Sequence, residues 1–328
     1  MNGLERLRPL VSRGLVPGVS AAWLHDGVVE QLVLGQAQVA PQPAPLHSGM
    51  LYDVASLTKV MGTTMVFLQA WAEGRLTPDT PLRAILPAFP HATTFRQALT
   101  HTSGLAGYIP HRDTLAAPAL QTALLTQLQV TAAVDRAVVY RDVNLLLVGW
   151  ALEKVYCAPI QLLIRRRVLS PLGLMSATFN PEAARCVPTS YDALTQTLKR
   201  GVVHDPKSAI LGCHSGAAGL FASLQDFERF SQLAFDPAPP PAWPATFAQL
   251  LQDHTVNGLG RSLGWDLRRD RHDRMWLYHT GYTGTFWLLQ PAVHQALIVL
   301  TNRVHPVVND NFLTWRDEFI ADFMRTVA

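Results

Sequence analysis

Residues 53–63 read Asp-Val-Ala-Ser-Leu-Thr-Lys-Val-Met-Gly-Thr, so that Ser56-Leu57-Thr58-Lys59 opens a long apolar run. A lysine on an apolar helix face is costly to bury, and serine is a poor filler of a helix interior. The pattern predicts a helix from Ser56 to roughly Trp71, ending at Glu73-Gly74, where a glycine commonly stops helices. On such a helix the Ser56 and Lys59 side chains share a face, with Cβ atoms about 5–6 Å apart. One explanation is an N-terminal cap. The other is a nucleophile beside its base, because a serine hydroxyl attacks only when a neighbouring group takes its proton. Lysine, with a pKa of about 10.4, is a poor base near neutrality. Burial and the positive potential of a helix N-terminus are expected to lower that value.

Outward from this stretch, Leu4, Leu7, Leu10 and Val11 recur at helical spacing. Val19–Leu24, the turn His25-Asp26-Gly27 and Val28–Leu34 read as a β-hairpin. Residues 40–49, APQPAPLHSG, form a Pro-rich loop. The chain to about residue 210 reads as mostly helical, with Leu145–Val155 its clearest apolar helix, and another helix is expected after Ser223. FDPAPPPAWP, from Phe235, cannot continue that helix. Strands follow at Leu263–Arg268, Met275–His279, Thr285–Gln290 and Ala296–Thr301, and a last helix puts Phe312, Trp315, Phe319, Ile320 and Phe323 on one face. The order predicts an α/β (α+β) fold: a central antiparallel sheet flanked by helices plus a mostly helical subdomain. Residues 1–55 and 215–328 would form the α/β part, residues 56–214 the helical part, with the site at their interface.

The 328 residues, 48% hydrophobic, suffice for a sizeable core. A net charge of +3, with Lys and Arg scattered, leaves no nucleic-acid footprint. Three cysteines without CxxC spacing point to neither a disulfide framework nor a zinc site, and the chain has no HExxH. No run approaches the roughly 18 apolar residues of a membrane span, and the N-terminus lacks a signal-peptide pattern. A cytoplasmic protein without metal or cofactor is expected, its oligomeric state undetermined.

Two further stretches carry candidate chemistry. In VVYRDVNLLLVGW (138–150), Tyr140, Asp142 and Asn144 stand at the head of an apolar helix. Asp142 is either a cap or a partner of Lys59, and Tyr140 either a core aromatic or a proton shuttle beside Ser56. In YHTGYTGTFW (278–287), His279-Thr280-Gly281 ends one predicted strand before a glycine turn. Gly281 and Gly284 are either ordinary turn glycines or part of a strand lying along an active site, with His279 and Thr280 touching substrate.

The three elements together, in this order, resemble the serine β-lactamases and penicillin-binding proteins, which share an SxxK element and a Lys-Thr-Gly element. The Tyr-x-(Asn/Asp) element is similar to the class C branch, which also holds D,D-peptidases, D-aminopeptidases and carboxylesterases. VPGVSAAWLHDG (16–27), LTHTSGL (99–105), GCHSGAAGLFASLQDFERF (212–230) and LTNRVHP (300–306) resemble family stretches as well, so that the likeness runs from about residue 14 to 325. It implies a β-lactamase/transpeptidase-like fold with Ser56 as the acylated nucleophile and Lys59 and Tyr140 sharing the general-base role. It implies an oxyanion hole from the N–H groups of Ser56 and Tyr282, and substrate contacts from Asp142, Asn144, His279, Thr280 and Gly281.

The chain departs from the lactamase pattern in having His-Thr-Gly for Lys-Thr-Gly. A histidine with a pKa of about 6.5 is only partly charged at neutral pH and would hold a substrate carboxylate weakly. It departs again in having Asp142 where many lactamases have asparagine. Both departures favour a serine hydrolase of esters or small amides with weak to modest β-lactamase activity. The alternatives are a penicillin-binding or D,D-peptidase-like protein that deacylates slowly, and a non-catalytic binding or sensor protein. A rival nucleophile motif, GxSxG at Gly260–Gly264, needs a strand before it and a helix after it. The following WDLRRDRHDRMW reads instead as strand, turn and strand.

Overall fold

The hairpin forms as β1 (Gly18–His25) and β2 (Val28–Gln38), in a computed structural model that describes residues 3–327. Asp26 and Gly27 both take positive φ, 51° and 74°, giving a tight two-residue turn whose twist suits antiparallel strands. β3 (Ala44–Pro45) closes one edge, where a proline costs no ladder bond. The other strands come from the chain's last quarter: β4 (Asp266–Arg269), β5 (Met275–Thr280), β6 (Phe286–Gln290) and β7 (Gln295–Thr301). All seven make one antiparallel sheet in the order β4-β5-β6-β7-β1-β2-β3, and the N-terminal hairpin pairs with the C-terminal strands through β1 and β7.

Strand alternation divides the core between the two faces of the sheet. Val19, Ala21, Phe286, Leu288, Leu297 and Val299 face the terminal helices. Ala22, Leu24, Trp287, Leu289, Ile298 and Leu300 face the rest of the chain. Four longer helices matter for the site: α1 (Thr64–Ala72), α2 (Asp142–Tyr156), α3 (Leu224–Phe235) and α4 (Asn311–Thr326). α4 buries Phe312, Phe319, Ile320 and Phe323 as its periodicity predicts, while Trp315 stays half-buried. α3 starts at a capping box between Ser223 and Asp226 and packs Phe227 and Phe230 edge-on against Trp287. Between residues 56 and 214, helices are joined by long loops and two short ribbons. No single helix among the described residues is long and apolar enough to cross a membrane.

Two expectations shift. The strand predicted from Leu263 begins only at Asp266. Gly264 turns there with φ +81° and presses so close to α1 that a Cβ would lie 2.3 Å from Thr64 Oγ1. The helix from Ser56 is not α throughout: Lys59–Thr63 forms a π-turn, a widened turn frequent at functional sites, before α1 runs to Glu73 and Gly74 (φ +71°).

Candidate active site

Ser56 sits in a turn held from several directions. Ala55 before it takes φ +47°, a left-handed conformation uncommon for a residue with a side chain. Its N–H donates to the buried Asp53 carboxylate at 2.8 Å, which also accepts from His204 N at 2.7 Å. Burial, against those two amide bonds, pushes the Asp53 pKa up to about 6. Thr283 donates its hydroxyl to Asp53 O at 2.7 Å, and Thr285 to Val54 O at 3.3 Å. The segment after β5 is thus tied to the backbone just ahead of Ser56.

Gly281 explains why this tie needs a glycine. A Cβ there would lie 2.2 Å from Thr285 Oγ1 and 2.5 Å from the Val54 carbonyl. Gly281→Ala is therefore expected to displace the His279–Gly281 strand end from the serine turn and to lower kcat about 100-fold with only a modest fall in Tm. Parallel ester kinetics and thermal melts check this; a kcat within threefold of wild type would show that the close approach does not matter. The Gly281 amide is spent on Thr285 O at 2.7 Å. The amides of Ser56 and Tyr282 have no acceptor among the described residues. The exposed Tyr282 ring stacks on His204 at 5.6 Å, and Arg303 donates to its carbonyl at 2.8 Å.

Lys59 is fully buried. Its three ammonium donors are satisfied by Ser56 Oγ (2.8 Å), Asp142 Oδ1 (2.8 Å) and Ala217 O (2.7 Å). Burial alone would lower its pKa, as the sequence suggested. The Asp142 carboxylate, supported by Tyr140, outweighs burial and raises it instead. Lys59 is a charged ammonium, not a neutral amine. Burial likewise works to raise the Asp142 pKa, and Lys59 and then Lys207 (3.2 Å) hold it well below the carboxylate range. Lys207 also pairs with Asp205 at 3.0 Å. Nothing in the sequence pattern singled out Lys207 or Asp205.

The Tyr140 ring is flanked by His101 (centroids 4.3 Å apart) and His279 (6.0 Å), with the Lys59 ammonium 5.4 Å from its centre. His279 is buried and donates from Nδ1 to Thr280 O at 2.9 Å. Burial, then the charges of Arg261 and Lys59, hold its pKa well below that of a free imidazole. The partly charged histidine expected from the sequence is a neutral one. Asn144 is also corrected. It is fully buried, accepting from Ser103 Oγ at 2.7 Å and donating to His101 Nδ1 at 3.1 Å, so it braces α2 against the LTHTSGL loop rather than facing a substrate. Thr280 lines a separate cavity with Tyr278, Arg268 and Arg316, away from its neighbour His279. In the rival GxSxG, Ser262 is buried in a loop that leads into β4 with no helix after it, so the nucleophile-elbow context is missing. The same loop supplies Arg261, a buried cation whose Nε and Nη2 have no hydrogen-bond partner among the described residues.

The structure thus brings Ser56, Lys59, Tyr140, Asp142 and His279 together from three distant parts of the chain. Several known proteins share the framework. A curated Escherichia coli (strain K12) protein named "Putative D-alanyl-D-alanine carboxypeptidase" is 25% identical over 82% of this chain and 73% of its own. An N-acetylmuramyl-L-alanine amidase of Bacillus subtilis (strain 168) is 24% identical over 94% of this chain and 82% of its own. Among solved structures, a β-lactamase/D-alanine carboxypeptidase from Pseudomonas syringae superposes with TM-score 0.77 at 17% identity, covering 98% of this chain and 97% of that one. A class C β-lactamase from Rhodobacter sphaeroides does so with TM-score 0.75 at 17% identity, covering 98% and 99%. The family profile described as Beta-lactamase matches residues 5–322, nearly the whole chain, and the chain accordingly belongs to the β-lactamase family.

Proposed function

We propose that this protein hydrolyses esters or small amides through an acyl-enzyme on Ser56. The observation that carries the reading is the 2.8 Å contact between Lys59 Nζ and Ser56 Oγ inside a charge network that leaves the lysine protonated. A protonated Lys59 has no room for the serine proton, so the proton goes to Tyr140. The phenol takes it from Ser56 Oγ as Oγ bonds to the acyl carbon, and gives its own proton to the leaving oxygen or nitrogen as the bond between that atom and the acyl carbon breaks. The acyl oxygen, now negative, accepts from the Ser56 and Tyr282 amides. Water then attacks the ester, and the relay runs in reverse to restore Ser56 and release the acid. Lys59 orients the serine and offsets negative charge throughout.

A neutral His279 gives no cation where a lactamase Lys-Thr-Gly offers one, which argues for weak to modest β-lactam hydrolysis. The amidase and carboxypeptidase names of relatives favour a second reading, a D,D-peptidase-like enzyme that deacylates slowly. Hydrolysis of short-chain p-nitrophenyl esters beside a chromogenic cephalosporin separates the two. The expected result is ester turnover with cephalosporin cleavage at least 100-fold slower in kcat/KM. Cephalosporin cleavage at equal rate would overturn the esterase preference, and a stable acyl adduct by intact mass without turnover would favour the peptidase-like reading.

A further inference from the structure

Asp53 is a buried carboxylate that the proton relay does not use. It is 2% exposed and makes no ion pair among the described residues. A charge so placed is costly unless its oxygens are well occupied. Asp53 ends a short ribbon in which Tyr52–Asp53 pairs with Phe221–Ala222, and two backbone amides occupy its carboxylate, one on each oxygen. Ala55 N donates to Oδ1 at 2.8 Å and His204 N to Oδ2 at 2.7 Å. Each amide leads to one of the two N–H groups that receive the acyl oxygen. Ala55 directly precedes Ser56, and its bond to Asp53 holds it at φ +47°, where a residue with a side chain does not rest unaided. His204 lays its ring on Tyr282, with centroids 5.6 Å apart and planes 24° apart. The main-chain oxygen of Asp53 adds a third link, accepting at 2.7 Å from the hydroxyl of Thr283, the residue after Tyr282. The other titratable groups around the carboxylate are Lys199 and Asp205, whose charges act on it in opposite directions, and the Cys186 thiol, which burial keeps neutral. Lys199 is spent on His204 O at 3.4 Å and Asp205 on Lys207 at 3.0 Å.

We infer that Asp53 is a positioning residue for both oxyanion donors: by accepting from Ala55 and His204 together, its ionised carboxylate fixes the Ser56 and Tyr282 amides at the spacing that one acyl oxygen needs. The inference rests on the serine hydrolase reading above. Asp53 touches neither substrate nor Ser56 Oγ; it acts through the two backbone segments it joins. The protonated acid does this poorly, because one of its oxygens becomes an O–H donor and faces an amide that is itself a donor. Burial pushes the Asp53 pKa up to about 6, so the change between the two forms falls close to neutral pH. The form that holds both amides is the one that burial disfavours.

Steady-state hydrolysis of p-nitrophenyl butyrate from about pH 7.5 down to about pH 5, wild type beside Asp53→Asn, tests this. Wild-type kcat is expected to fall about tenfold across that range, as a group with a pKa of about 6 takes up its proton. In Asp53→Asn the side-chain amide keeps one acceptor and turns a donor toward the other backbone N–H. At about pH 7.5 its kcat is expected to lie about 10- to 100-fold below wild type with KM within about threefold, the pattern of a contact made only in the transition state. Its fall toward pH 5 is expected to shrink below about twofold. A merely structural role would lower the melting temperature and leave the shape of the pH profile unchanged. His101 and His279, which burial holds well below the ordinary imidazole pKa, are the same in both proteins, so a fall owed to either persists in the variant and overturns the inference. A flat wild-type profile, or a variant as active as wild type, overturns it too and leaves hydrolysis at Ser56 in place. Should Asp53→Asn not fold, His204→Ala takes its place, since it keeps the backbone donor and removes only the ring from Tyr282. A kcat lowered at least fivefold with KM unchanged then supports the link, and a kcat within about threefold of wild type overturns it. If wild type turns over no ester, the hydrolase reading fails and the positioning role falls with it.

Discussion

Ser56→Ala is expected to lower kcat/KM for p-nitrophenyl esters by roughly 10⁴-fold or more, the scale on which hydrolases lose activity with their nucleophile, and to leave the protein folded. The fold survives because Ser56 is only one of three acceptors around the Lys59 ammonium; Asp142 and Ala217 O remain. Loss of that single contact is expected to cost no more than about 1–2 kcal/mol. Steady-state kinetics beside a urea melt separates the two effects, and intact mass spectrometry with a slowly released substrate shows an acyl adduct on wild type and none on the variant. Turnover retained in a folded Ser56→Ala protein would move the nucleophile elsewhere. Among the alternatives, Ser262 is buried in the β4 approach and Ser103 is spent on Asn144, so neither offers an obvious replacement.

Much of this site is legible in the chain because its parts are local. The Asp-Gly turn sets the first hairpin, Ser223 and Asp226 start α3, and the three elements around Ser56, Tyr140 and His279 do meet. What escapes a linear reading is the charge each group feels across the fold. Lys59 looked like an amine whose pKa burial would lower, yet a carboxylate 83 positions away reverses the sign. His279 looked half charged, yet burial and a buried arginine from a stretch that resembled a rival motif make it neutral. Asn144 stands only two residues after Asp142 and is nonetheless a brace, because the LTHTSGL loop folds over it. Thr283 was readable only as a turn residue and Thr285 only as the start of a strand, since the backbone carbonyls they hold lie some 230 positions earlier.

Asp142→Ala is expected to have the largest effect on stability. The carboxylate lies between Lys59 at 2.8 Å and Lys207 at 3.2 Å. Removing it leaves Lys207 with Asp205, but leaves the fully buried Lys59 ammonium with only two neutral acceptors. Breaking a buried pair from one side typically costs about 3–5 kcal/mol. The protein has a second outlet: with the carboxylate gone, burial prevails and the Lys59 pKa falls, so a neutral amine replaces the ammonium and the pH–rate profile gains an ionisation that wild type lacks. The pH dependence of stability isolates the pair. Asp142 is depressed in the folded state, so its contribution is full above the ordinary carboxylate pKa of about 3.9 and is lost as pH falls below it. Asp53, raised to about 6, works the other way: it contributes most below about 3.9, and that contribution is lost as pH rises through about 6. Asp53 is present in both proteins, so the difference between wild type and Asp142→Ala, followed by urea unfolding from pH 7 downward, should shrink only as Asp142 itself becomes protonated. Asp142→Asn, which keeps one acceptor oxygen, is expected to fall between the two. A variant as stable as wild type at pH 7, with an unchanged pH–rate profile, would mean that Lys59 does not depend on Asp142 for its charge, and the proton relay through Tyr140 would lose its premise.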